Sequence, residues 1–289
     1  MEIKTIYKPE FPYLLQEIND PPEKLYLKGT LPLPNTKCLC VVGARKYSSY
    51  GKEVTEKLIS GLRGYNICIV SGLALGIDSI AHRAALEADL PTIAFPGSGL
   101  HPSVIYPATH ARLSEEIVEA GGALISECEL MQESAPWTFP KRNRLLAGIS
   151  HATLVIEAEL QSGTLITSKY ATEYNRDVGT VPGNIFSPLS KGPHMLLGLG
   201  AKVIASSDDL LALLDLKKKG DNDQSIQRSL LLNLNENERR IVELLSIEPH
   251  TTEQLILKSG LSAREINLVI SSLEIEGVVT AVGGEIKLI

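Results

Sequence analysis

Ile69-Val70-Ser71-Gly72-Leu73-Ala74-Leu75-Gly76-Ile77-Asp78-Ser79-Ile80-Ala81-His82 passes from one kind of periodicity to another. The apolar run that begins at Ile67 is rich in β-branched residues, which predicts a strand buried on both faces. A turn of small residues follows, with Gly72, Ala74 and Gly76. Apolar residues then recur at helical spacing: Ile77, Ile80, Ala81, Ala84, Ala85 and Ala88. Strand, glycine turn and helix in this order leave backbone N–H groups at a helix start, where anions bind. Small residues also let a phosphate or a base come close to the backbone. The stretch therefore predicts a ligand that carries phosphate. Gly72 and Gly76 lack the G-x-G-x-x-G spacing of dinucleotide enzymes.

The same grammar repeats outward. Strands are expected at Cys38–Val42, Thr92–Phe95, Ala123–Ser126, Ala152–Ile156, Val178–Val181 and Val203–Ile204. Helices are expected at Val54–Leu62, His110–Ala120, Phe139–Ile149, Leu165–Tyr174 and Ser207–Leu214. Alternation of this kind gives an α/β fold, a Rossmann-like parallel sheet with helices on both faces, over residues 38–214. Gly43, Ser71-Gly72, Gly97-Ser98-Gly99, Glu157, Ser162-Gly163 and Pro182-Gly183 all fall just beyond strand ends, the rim where such sheets bind ligands. Residues 1–37 read as a proline-bounded lead-in, with an edge strand at Leu25-Tyr26-Leu27.

Residues 215–234 are charged and polar and read as a linker. Residues 235–289 carry three helical patterns and a hairpin, a small C-terminal winged-helix domain. That domain holds nine glutamates against Arg239, Arg240, Lys258, Arg264 and Lys287. Phosphate attraction dominates nonspecific affinity, so it is a poor lone DNA binder.

Composition narrows the function. The chain has 289 residues, 44% hydrophobic and 21% charged, with a net charge of −6. A protein coated in basic surface is excluded, and any nucleic-acid site must be a local patch. Cys38, Cys40, Cys68 and Cys128 lack metal-ligand spacing and read as buried thiols of a reduced cytoplasmic protein. No metal or cofactor is expected. Neither a signal peptide nor an apolar run of about 18 residues is seen, so no membrane span is expected.

Seven motifs occur in a fixed order: Val42-Gly43-Ala44-Arg45, Ser71 to His82, Gly97-Ser98-Gly99-Leu100 with Tyr106-Pro107, Phe139-Pro140-Lys141-Arg142-Asn143-Arg144, Glu157-Ala158, Ser162-Gly163-Thr164 and Val181-Pro182-Gly183. In these the chain closely resembles the DNA-processing protein A (DprA/Smf) family of bacteria, across residues 8–214. The resemblance implies a homodimer that binds single-stranded DNA, loads a RecA-type recombinase, helps displace single-strand-binding protein and serves natural transformation. It implies no catalysis. Many members carry a helical domain of the sterile-alpha-motif type before the Rossmann part; here about 37 residues precede the first expected strand, and that domain is missing or trimmed. His101 stands where the family usually has Asp.

With the resemblance, the expected DNA-binding residues are Gly43, Arg45, Ser71, Gly72, Gly99, Phe139, Lys141, Arg142, Arg144, Ser162 and Gly163. Arg45 would fork onto a phosphate. Residues 140–144 form the densest basic run of the Rossmann part, with Trp137 and Phe139 beside it, and cations with aromatic faces suit a single strand. Trp137 suits stacking on a base or packing under the loop equally well. Asp78 and His82, four apart on a helix, read as a structural pair rather than a catalytic or metal pair. Glu157 either orders the basic loop or is a leftover acid. The alternative is a nucleotide-binding enzyme of the phosphoribohydrolase type, although the Pro-Gly-Gly-x-Gly-Thr-x-x-Glu signature is absent. A transcription regulator is a third possibility, opposed by the acidic winged helix.

Overall fold

The computed structural model describes residues 2–218, 235–245, 249–275, 278–282 and 284–288. The chain forms two compact units, one ending at Leu216 and one beginning at Lys217.

The first unit is built on a nine-stranded sheet. In chain order its strands are β1 (Ile3–Tyr7), β2 (Lys24–Gly29), β3 (Lys37–Val42), β4 (Ile67–Ser71), β5 (Thr92–Ala94), β6 (Ala123–Ser126), β7 (Ala152–Val155), β8 (Asp177–Thr180) and β9 (Lys202–Val203). In space they lie in the order β1-β2-β6-β5-β4-β3-β7-β8-β9. From β6 to β9 every pairing is parallel. The chain runs one way from β3 to β6, then returns to the far side of β3 for β7. That reversal is a topological switch point between β3 and β7.

Residues 1–37 are more than a lead-in. β1 pairs antiparallel with β2, and β2 pairs antiparallel with β6, so this segment extends the sheet by two strands. The strand expected at Leu25–Leu27 is covered on its outer side by β1. The helical pattern between Phe11 and Ile18 becomes one turn, α1 (Tyr13–Gln16).

Helices α2 (Ser49–Ser60), α3 (Ile77–Glu87), α4 (Ala111–Glu119), α5 (Thr138–Ile149), α6 (Thr164–Glu173), α7 (Lys191–Gly198) and α8 (Ser207–Leu213) cover the sheet. α2 starts five residues before the expected Val54 because Ser48 caps it, accepting the Gly51 N–H at 3.1 Å. Alternate residues of β3 feed two cores. Cys38, Cys40 and Val42 pack with Leu15, Phe95 and Leu145. Leu39 and Val41 pack with Leu58, Ile59 and Ile77. Among the described residues no helix is long and apolar enough to cross a membrane.

The second unit holds α9 (Glu236–Leu245), β10 (His250–Thr251), α10 (Thr252–Ser259), α11 (Ala263–Ile275), β11 (Val279–Val282) and β12 (Glu285–Leu288). β11 and β12 form the expected hairpin, and β10 adds a third strand. Thr251 caps α10, and Gly260 ends it with φ +72°. Ile241, Leu245, Leu255, Ile266 and Leu273 make its core. Most of the expected linker, residues 219–234, lies outside the described residues.

Candidate functional site

The loops after β3 and β7 enclose a cavity of about 600 Å³ at the switch point. Gly43, Ala44, Arg45 and Lys46 line one side. Gln161, Ser162, Gly163 and Thr164 line the other. Phe139, Arg142, Asn143, Thr167 and Asp78 also line it, as does one exposed carboxylate, Glu159.

Close packing fixes the β3 side. A Cβ on Gly43 would stand 2.6 Å from the Ile77 side chain. Gly76, at φ +86°, lies directly beneath the Ala44 and Arg45 carbonyls. The loop is thus pressed onto the start of α3, and Arg45 and Lys46 project from it, exposed. The Arg45 guanidinium lies 5.1 Å from the centre of the Phe139 ring. Phe139 in turn meets Tyr106, with ring centres 5.7 Å apart. Among the described residues no carboxylate lies within ion-pairing distance of Arg45 or Lys46.

Glu157 holds the far end of this loop. Its buried carboxylate accepts the Ser48 N–H at 3.0 Å and the Ser48 hydroxyl at 2.5 Å. Gly51 packs so closely on it that a Cβ there would stand 2.3 Å from Oε2. Glu157 thus orders the loop that carries Arg45, not the basic run of residues 140–144.

The opposite wall is the start of α6. Its Thr164 hydroxyl donates to the Gly43 carbonyl at 3.1 Å, tying the two sides together. Ser162 Oγ accepts the Thr164 N–H at 3.2 Å. Gly163 is exposed, with open space where a Cβ would be. A helix start beside two unpaired cations favours an anion.

The basic run behaves differently from expectation. In a helix successive residues turn by about 100°, so Arg142 points away from Lys141 and Arg144, which share a face of α5 and both reach Glu127. Arg142 is buried; it donates to the Gly72 and Phe95 carbonyls and, at 3.2 Å, to Asn143 Oδ1. Gly72 is required there, because a Cβ would stand 2.3 Å from Arg142 Nη1. Arg144 is also buried. It donates to Glu127 at 2.7 and 2.8 Å and to the Asp20 carbonyl at 2.6 Å. Lys141 Nζ lies 3.4 Å from Glu127. The expected cationic track of residues 141–144 is therefore corrected: two of its three charges are internal struts.

Of the other expected residues, Gly43, Arg45, Phe139, Ser162 and Gly163 meet at the cavity. Gly72 lines an adjoining hollow with Arg45, Leu75, Tyr106 and Phe139. Ser71 is buried and donates to the Val41 carbonyl at 2.6 Å. Gly99 is buried against the Glu129 and Leu130 carbonyls. Both shape the rim from within rather than face the cavity. Sequence reading missed Lys46, Asn143 and Thr167 as wall residues. Asn143 stood inside a quoted motif, and Lys46 adjoins Arg45.

The start of α3 is not the phosphate site that its glycines suggested. The Ile77 N–H donates to the Ala44 carbonyl at 3.2 Å. The buried Asp78 carboxylate faces the Ala74 N–H at 3.4 Å. Burial pushes the Asp78 carboxyl above the usual range, against the opposing pull of Arg142. His82 does not pair with Asp78; its Nδ1 lies 2.7 Å from Thr92 Oγ1. Burial drives its pKa down to about 3. Trp137 is exposed at 59%, so it does not pack under the loop. The four cysteines are free, three of them buried. Among the described residues no group of three side chains could hold a metal ion.

A family model described as DNA recombination-mediator protein A matches residues 2–215. A second, the DprA winged helix domain, matches residues 228–285. Protein Smf of Escherichia coli is 40% identical over 201 residues, 70% of this chain and 53% of that protein. The chain thus spans about half the length of that relative. DNA processing protein DprA of Streptococcus pneumoniae is 42% identical over 202 residues, 70% of each chain. Its crystal structure superposes with a TM-score of 0.68 at 39% identity, covering 73% of this chain and 74% of that one. A structure of DNA processing protein A from Helicobacter pylori, described for its single-stranded DNA binding mode, gives a TM-score of 0.65 at 30% identity. It covers 74% of this chain and 95% of that one.

Proposed function

Because the chain belongs to the DNA recombination-mediator protein A family, we propose that its switch-point cleft binds single-stranded DNA and that the protein hands the strand to a RecA-type recombinase. The observation that carries the reading is the pair of exposed, unpaired cations, Arg45 and Lys46, facing the α6 start across one cavity. Phosphates would sit between them, and the aromatic faces of Phe139 and Tyr106 offer stacking surface beside the path. Two neighbouring cations and one helix end suit a local groove on an acidic protein.

The biological role implied by the family is displacement of single-strand-binding protein and service to natural transformation in the cytoplasm. A homodimer is part of the reading. Phe186 is 86% exposed, Ile185 and Leu199 are exposed, and so is Val203 on β9, the edge strand of the sheet. Such apolar surface at a sheet edge favours a partner. We read the protein as a mediator, not an enzyme. Glu157, the acid a phosphoribohydrolase would use, is spent on Ser48.

The test is oligonucleotide binding at two salt concentrations, single strand against duplex. Preference for the single strand, weakening steeply with salt, is expected. Equal binding of duplex, or none of either, contradicts the reading.

A further inference from the structure

In the second unit, α11 is the helix that a duplex reader of this shape lays in the major groove. Its exposed charges are Arg264 against Glu265 and Glu274, and between them Leu268 is 64% exposed. Over residues 235–289 nine glutamates stand against five cations. Phosphates are therefore poorly served on this face.

A groove of about 430 Å³ runs between the start of α9 and α11, lined by Asn235, Glu236, Asn237, Glu265, Leu268 and Val269. Its walls are tied together. The Ser272 hydroxyl of α11 donates to Glu238 of α9 at 2.9 Å, and Asn235 caps α9 by accepting the Glu238 N–H at 3.0 Å. Glu265 accepts the Ser262 N–H and hydroxyl at 2.9 and 2.6 Å, both on Oε2, which leaves Oε1 open. Those bonds hold its carboxyl below the usual range, so it stays charged. Among the described residues no cation lies within ion-pairing distance of Glu236 or Glu265. Two uncompensated carboxylates beside apolar surface fit a long cationic side chain. Its head meets the carboxylates while its methylene stem lies on Leu268 and Val269.

We propose that this groove docks a basic amphipathic helix of a partner protein, with arginine on Glu236 and Glu265 and an aliphatic residue on Leu268. The winged helix is then a protein-recognition module, and the proposal stands apart from the single-strand reading of the first unit. Charge complementarity selects the partner, and the exposed leucine gives the contact a register that charge alone lacks.

The experiment uses the full chain and a labelled helical peptide of leucine, arginine and alanine, followed by fluorescence anisotropy. Replacing its leucines by serine, or its arginines by glutamate, should each weaken binding at least about tenfold. On the protein, Glu236→Lys and Leu268→Ser should each weaken it about fivefold. Both side chains are exposed, so the fold does not depend on them. Leu257, 83% exposed on α10 and outside the groove, is the control. Leu257→Ser should change affinity by less than about twofold. Equal binding of the serine peptide, or unchanged binding by Leu268→Ser, reduces the contact to charge and overturns the proposal. No binding of the parent peptide overturns it as well. Displacement of the peptide by duplex DNA assigns the face to nucleic acid and also overturns it.

Discussion

Arg144 and Arg45 carry the same charge and do different work, and burial separates them. Arg144 is buried and divides its donors between Glu127 and the Asp20 carbonyl. Removing it leaves the largely covered Glu127 with Lys141, 3.4 Å away, as its one remaining described cation. Arg144→Ala should therefore cost about 3 kcal/mol in a denaturant titration, while single-strand affinity changes less than twofold. His82 makes a second residue-scale case. Its folded pKa is depressed to about 3 against an ordinary 6.5. Between those values the unfolded chain binds the extra proton, so stability is full above pH 6.5 and is lost as pH falls toward 3. Stability should be about 2 kcal/mol lower at pH 5 than at pH 8 from this group alone. His82→Gln should flatten that part of the pH profile; an identical slope in the variant would exclude His82 as its source.

At the scale of elements, the switch point is held by a cross-link that sequence left ambiguous. Glu157 leaves β7 and grips Ser48 at the start of α2, so the loop between them presents Arg45 in one place. Electrostatics alone would have Glu157→Gln strengthen binding of a polyanion. Loss of the grip predicts the opposite, a weakening of about threefold or more, with Ser48→Ala acting in the same direction. The α5 helix shows why a basic run misleads. Residues 141–144 are contiguous in sequence, but helical rotation and the packing of α5 decide which charges reach solvent, and neither is written in a local pattern. The glycine turns were legible because their need is local. Gly43 and Gly76 are required where the β3 loop meets α3.

At the scale of the whole molecule, the repeating strand and helix grammar made the parallel sheet and its carboxyl-end rim readable from sequence. β1, and the antiparallel pairing of the expected Leu25–Leu27 strand with it and with β6, were not, because pairing between segments far apart in the chain is a nonlocal contact that no local pattern records. The acidic winged helix was legible as a fold, and its charge already set it apart from duplex readers. A chain ending at residue 218 should accordingly keep single-strand affinity within about threefold of the full protein at equal salt, since the proposed phosphate contacts lie in the first unit. A loss beyond tenfold in anisotropy would place DNA contacts in the second unit.

The central claim is that Arg45, on its clamped loop, meets phosphate at the rim of the switch-point cavity. The salt dependence of single-strand binding tests it most directly, compared between the unaltered protein and Arg45→Glu. The account predicts at least about tenfold weaker binding and a log–log salt slope shallower by about 0.7, the value of one phosphate contact on a single strand. An unchanged affinity with an unchanged slope would contradict it.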